Sequence, residues 1–260
     1  MSADEVRPPS GEAVGKAVTA VRVLALLDAS RHSLAALAAA VDLAVERHAE
    51  LVALFVEDQD LLGSAGFPFS REIGAVSGRV RQLSRDDLEA GLARQARRAT
   101  EALDAAVAGR GLRHELRIRR GRVVSEALAL AGPGDVLVLG KAGLSGHWGV
   151  RLGSTSRALV LEAPCTVIIW DERLPLARGP LRTLGTPTPG HEDLSAIPQA
   201  LTRLFDGEEV LQASDARELE RQLSRATSGA LLLHRPWLAR LAGQDPDLLA
   251  RLPIPVIVVP

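Results

Sequence analysis

Between Leu139 and Pro164 the chain reads LGKAGLSGHWGVRLGSTSRALVLEAP, its densest run of residues with a chemical use. Gly140 and Gly143 permit a tight turn and a close approach of backbone to a ligand, because neither carries a Cβ. Further on, Gly153, Ser154, Thr155 and Ser156 place exposed amides and three hydroxyls at the start of a predicted helix, where the macrodipole favours negative charge. The pattern is that of a cradle for a phosphate-bearing anion. Lys141 and Arg151 are placed to offset anionic charge, although long basic side chains on loops are ordinarily just hydrated. His147 and Trp148, between the glycines, suit a lid, a partner contact or simple packing of the loop. The run is not a Walker loop, since no GxxxxGK[ST] occurs, and no GxGxxG follows the first strand. No nucleophile elbow is present either, so no catalytic residue is assigned, and Asp28 and Lys141 remain the two groups with any claim to acid–base or charge work.

Such a loop works only when a buried strand delivers it and a helix receives it. VRVLALLDAS (Val21 to Ser30) is a continuous apolar run ending in Asp28, as expected of a strand buried on both faces. Asp28 there is a ligand-facing acid or a helix N-cap. Leu34, Leu37, Val41, Val45 and Ala49 follow at helical spacing, and LVALFVED (Leu51 to Asp58) is a second apolar strand. A polar stretch, Gln59 to Arg85, precedes a long helix with Leu88, Leu92, Ala96, Ala99, Leu103 and Val107 on one face. LRHELRIRR, DVLVLG and PCTVIIW read as further strands, separated by helices at Val123 to Ala131 and Ser154 to Glu162. The expectation is an α/β fold: a five-stranded parallel doubly wound sheet with helices on both faces and ligands at the carboxyl ends of the strands. Beyond it a smaller, degenerate α/β repeat is expected. Leu116 to Gly140 and Val210 to His234 both run strand, helix, strand over the same length.

The spacing Gly140-x2-Gly143-x9-Gly153-Ser154, followed by APCTVIIW, resembles the nucleotide signature of the universal stress protein family. Asp28-Ala29-Ser30 and LFVED are similar to that family's two other ligand-facing segments, and the likeness covers about residues 20–171. It implies ATP, ADP or AMP as ligand and leaves open a Mg²⁺ ion on the phosphate oxygens. By this resemblance Asp28 faces the ribose or the adenine side, the backbone near Leu26 and Leu27 lines the base, and Val56 offers main-chain hydrogen bonds to adenine. Leu139 leads into Gly140 and Gly143, which contact ribose and phosphates, while Gly153, Ser154, Thr155 and Ser156 hold the phosphate chain. Ala29 departs from the pattern, standing where the family often has glycine. The tandem form implied divides the chain into a disordered tail (1–19), a nucleotide-binding domain (20–171), a linker (172–182) and a truncated second domain (183–260).

The second copy lacks the cradle. His234, Arg235, Pro236 and Trp237 occupy the glycine region, the loop is five residues shorter, and no acid ends LRTLGT. It is expected not to bind nucleotide but to replace a dimer partner, with APCTVIIW and IPVIVVP satisfying each other's edges; a homodimer is left open. With 31 basic against 32 acidic residues the chain has no field to gather nucleic acid or anionic membrane. Arg71, Arg79, Arg81 and Arg85 then read as a solvated face. Cys165 stands alone, which excludes an intrachain disulfide, and six scattered histidines show no metal-ligand spacing. Phe67 and Phe69 suggest a ligand cover, a docking patch or a local anchor. No secretion signal or membrane-length apolar run is visible, so a soluble cytoplasmic chain is expected. Three functions compete on this reading: an adenine-nucleotide sensor acting on an unknown protein partner in a stress response, a slow ATPase or adenylyl-transferring enzyme, and a nucleotide-free interaction module.

Overall fold

The computed structural model describes residues 22–74, 77–141, 152–170, 179–185 and 205–260. The expected tail, Gly143, His147, Trp148, Arg151 and most of the expected linker lie outside these residues. The first part of the chain forms β1 (Arg22–Leu27), α1 (Arg31–Glu46), β2 (Glu50–Asp58), α2 (Gln59–Ser64), β3 (Arg71–Ile73), β4 (Val80–Gln82), α3 (Arg85–Val107), β5 (His114–Gly121), α4 (Val123–Leu130), β6 (Val136–Gly140), α5 (Ser154–Glu162) and β7 (Thr166–Trp170). The second part forms β8 (Leu181–Leu184), β9 (Glu208–Leu211), α6 (Ala216–Leu223), β10 (Ala230–His234), α7 (Arg235–Gln244), α8 (Leu248–Arg251) and β11 (Val256–Val259).

One sheet carries nine of these strands in the order β5-β2-β1-β6-β7-β11-β10-β8-β9. The expected five-stranded parallel sheet is its first part, since β5, β2, β1, β6 and β7 all run parallel. Burial explains why apolar runs without alternation become strands here: Leu51 to Val56 of β2 and Val136 to Leu139 of β6 are buried without a break, as a sheet covered on both faces requires. One apolar cluster packs α1 and α3 through Leu37, Ala40, Leu92 and Leu103, and the other packs α4, α5 and α7 through Ala127, Leu159 and Leu238. Both clusters continue into the second part, through Ile257 and Val259 on one side and Val256 and Val258 on the other.

The two apolar strands set against each other above do pair. β7 and β11 form an antiparallel ladder, with Ile169 opposite Val256, Ile168 opposite Ile257 and Val167 opposite Val258. β8, β9, β10 and β11 supply the four strands expected of the second part, and β8 begins at Leu181, inside the stretch read as linker. β9 lies beside β8, the place that β2 holds beside β1, although the sequence repeat matched it to β5.

The polar stretch Gln59 to Arg85 is more ordered than its composition suggests. Asp58 caps α2 by accepting from the Asp60 amide at 2.9 Å, and β3 and β4 form an antiparallel hairpin whose Glu72 and Arg81 are ion-paired. α1 also stops sooner than its apolar spacing suggests: His48 takes φ +51 and releases Ala49 from the helix. At the amino ends of the strands, the Arg22 Nε donates to Asp135 at 3.0 Å and Asp135 accepts from the Gly132 amide at 2.7 Å, tying β1 to β6. That bond to Asp135 holds the Arg22 guanidinium above its ordinary pKa.

Candidate functional site

β1 has β2 on one side and β6 on the other, so the strand order reverses around it and a crevice opens at the carboxyl ends of these strands. Three chain segments edge it. β1 stops at Leu27 opposite Phe55, whereas β2 continues to Asp58 alongside β5. Val56 therefore stands just past the end of β1, with its side chain buried and its main chain at the rim. Leu27 and Leu139 are buried beneath the rim and Leu26 is half-buried.

Asp28 leaves β1 into a compact turn. Its Oδ1 accepts from the Ser30 amide at 2.9 Å, and its own amide donates to Ser33 Oγ at 3.3 Å. The N-cap of α1 is Ser30, whose hydroxyl oxygen accepts from the Ser33 amide at 3.2 Å, so Asp28 is not the cap. Asp28 keeps an exposed side chain at the crevice. Partial loss of water around the carboxyl by itself raises its pKa, but hydrogen bonds from Ser30 and Ser33 prevail, and Asp28 sits below the ordinary aspartate range. It is a carboxylate at neutral pH. Between them Ala29 adopts φ +57, the left-handed conformation that favours glycine, so the alanine noted in the sequence stands at a strained position.

Gly140 ends β6 against the first turn of α1. A Cβ there would lie 2.5 Å from the His32 carbonyl oxygen and 3.1 Å from the Ser33 nitrogen. The bare face of Gly140 is thus filled by α1 backbone, and any ligand contact it makes uses its main chain. Gly153 is different: among the described residues nothing lies within 4 Å of its Cβ position. It is the N-cap of α5, no side chain caps that helix, and no acid occupies its first turn. Gly153 and Ser154 are exposed, and Thr155 and Ser156 are half-buried. α5 thus begins without a side-chain cap at the carboxyl ends of the strands, and its first amides are donors that an anion could satisfy.

Lys141 does not join the cradle. It is 6% exposed, its amide donates to Trp170 at 2.7 Å, and its Nζ donates to the Leu252 carbonyl in the second part. Cys165 is fully buried at the start of β7, and desolvation pushes its thiol up to about 11, as suits a small apolar residue. Phe67 and Phe69 stack at 5.5 Å and stay exposed, so they are not an anchor into the core. Among the described residues no group of histidines, cysteines and acids could hold a metal. In the second part the place of the glycine loop is taken by α7, a helix the sequence reading treated as loop; Pro236 in its first turn was the available signal, since a fixed φ suits a helix start.

This parallel sheet, with an acid after β1 and a helix without a side-chain cap after β6, is that of an α/β protein whose candidate site lies at the carboxyl ends of its strands. The family model for the universal stress protein family matches residues 21–170, more than half of the chain, and the chain belongs to that family. Among solved structures, a universal stress protein from Archaeoglobus fulgidus covers 92% of this chain and 98% of its own at 13% identity and a TM-score of 0.61. A universal stress protein of Pseudomonas aeruginosa covers 92% and 93% at 12% identity and a TM-score of 0.51. These two likenesses show the fold across both parts. A universal stress protein in complex with cAMP is similar over 59% of this chain and 98% of its own, at 24% identity and a TM-score of 0.39. Nothing among curated proteins matches the chain.

Proposed function

We propose that the crevice at β1, β2 and β6 binds an adenine nucleotide and that the chain acts as a nucleotide-responsive regulator rather than through a reaction of its own. The observation that carries this reading is the N-terminus of α5, which has no side-chain cap and begins with Gly153 and three hydroxyl residues at the same end of the parallel sheet as the ionised Asp28. The phosphate chain of ATP lies on the amides of Gly153 to Ser156, where the helix dipole offsets its charge. Asp28 accepts from ribose hydroxyls, Leu26, Leu27 and Leu139 line the base side, and the main chain at Val56 reads the adenine edge. Gly140 and Gly143 bring the backbone up to the ribose and phosphates, and a Mg²⁺ ion is carried on the phosphate oxygens. Pairing of β7 with β11 supports reading the second part as a built-in partner that takes the place of a second copy.

Gly153→Asp tests the site without harming the fold. Gly153 has φ −59 and open space, so aspartate fits and supplies the side-chain cap that α5 lacks, while its charge opposes phosphate. Calorimetry with ATP and Mg²⁺ is expected to show binding by the natural chain and none by Gly153→Asp, with the melting temperature kept or raised. Absence of binding by the natural chain, or equal binding by the variant, refutes the assignment.

A further inference from the structure

Both described flanks of the segment between Gly140 and Gly153 are held from the second part of the chain. On the amino side, the buried Lys141 places its ammonium on the carbonyl of Leu252, the C-cap residue of α8. On the carboxyl side, Leu152 is 5% exposed and shares a hollow with Val160, Leu238, Pro246, Leu248 and Leu249. In the first turn of α5, Arg157 donates to the Pro246 carbonyl at 3.1 Å and lies 3.6 Å from the Asp247 carboxylate. At the other end of α5, Arg235 donates to the carbonyls of Val160 at 3.1 Å and Cys165 at 2.9 Å.

Physical chemistry gives these contacts a direction. A lysine ammonium removed from water needs an acceptor, and the Leu252 carbonyl supplies one. Arg157 stands at the positive end of α5, where a cation is unfavourable within that helix alone, so its position makes sense only with Asp247 and Pro246 opposite. The Arg157 and Asp247 pair is too exposed to matter much for stability, which leaves placement as its effect.

We infer that the segment Pro246–Leu252 is a positioning element for the phosphate end of the crevice, acting through Lys141, Leu152 and Arg157. The inference rests on the reading of α5 as a nucleotide-binding helix. None of these residues is assigned a contact with ligand. Coupling of this kind is reciprocal: if the segment favours the binding geometry, bound nucleotide must favour the segment to the same degree.

The test is hydrogen exchange on the full chain with and without saturating ATP and Mg²⁺, joined to calorimetry of Lys141→Met, Lys141→Arg and Asp247→Asn. ATP is expected to slow exchange across 246–252, although that stretch belongs to the second part of the chain. Lys141→Met is expected to weaken ATP binding by about fivefold or more, the low end of ordinary coupling, and to abolish the slowing, while Lys141→Arg restores both. If Lys141→Met does not fold, Asp247→Asn supplies the same comparison at a half-buried site and is expected to weaken ATP and the slowing in the same sense. ATP binding by the natural chain with unchanged exchange across 246–252, or with full affinity in the variants that fold, overturns the positioning role alone. No ATP binding by the natural chain overturns the nucleotide reading, and the positioning role falls with it.

Discussion

A methyl group at Gly140 would strike the backbone of α1, whereas one at Gly153 would meet open space. Gly140→Ala is therefore expected to lower stability by about 1–3 kcal/mol, an overpacking cost, and Gly153→Ala by less, about 0.5 kcal/mol, the cost of a poorer N-cap residue. Urea denaturation distinguishes the two. Ala29→Gly should raise stability by about 1 kcal/mol by relieving φ +57, less what the freer unfolded chain gives back. Cys165 should resist a thiol reagent at pH 8 until the protein unfolds, because its thiol is buried and shifted up to about 11. Residue types announced the glycine and hydroxyl pattern but not which side of each glycine is filled. Lys141 shows the same limit: its place next to Gly140 suggested phosphate, and only the folded chain turns its ammonium toward Leu252.

At the scale of elements, helix ends govern the chemistry. Ser30, Asp58, Ser84 and Asp215 cap their helices with side chains, while α4, α5, α7 and α8 have no side-chain cap, and of these α5 is the one that follows β6 at the candidate site. The acids near these ends and turns behave alike in acid. Asp28 is held low by Ser30 and Ser33 against its own burial, and Glu220 and Asp245 are held low by hydrogen bonds from Arg251, which joins α6 to α8. A folded-state pKa below the unfolded value contributes stability above the unfolded value and loses it as pH falls through the folded one. Stability should thus be level near neutrality and decline below about pH 4, and Arg251→Met should flatten that decline in a pH series of urea midpoints. Buried strands were legible because uninterrupted apolar runs have few alternatives. The hairpin of β3 and β4 was not: its strands are three residues each and Ile73 and Val80 remain exposed, so no burial pattern marks them. α7 escaped for a related reason, since its start was compared with a glycine loop rather than judged by its own apolar spacing.

For the whole molecule, both apolar clusters cross from one part to the other, and the ladder of β7 with β11 is buried throughout. Unfolding is expected to be one cooperative event. Fluorescence from the chain's three tryptophans and far-ultraviolet dichroism should give coincident transitions; two separated steps would contradict this. Ile257→Lys, placing a charge where the side chain is 2% exposed, should lower that single midpoint rather than split it. The second part was legible as a list of strands but not as a continuation of the first sheet, because partner choice between strands far apart in sequence leaves no local trace. The antiparallel junction also orients the molecule. β11 runs opposite to β7, so the strand that leads to Pro260 emerges at the rim remote from Asp28 and the N-terminus of α5. A chain tethered to a sensor surface through Pro260 would present its crevice outward, free to exchange ligand with the flowing solution.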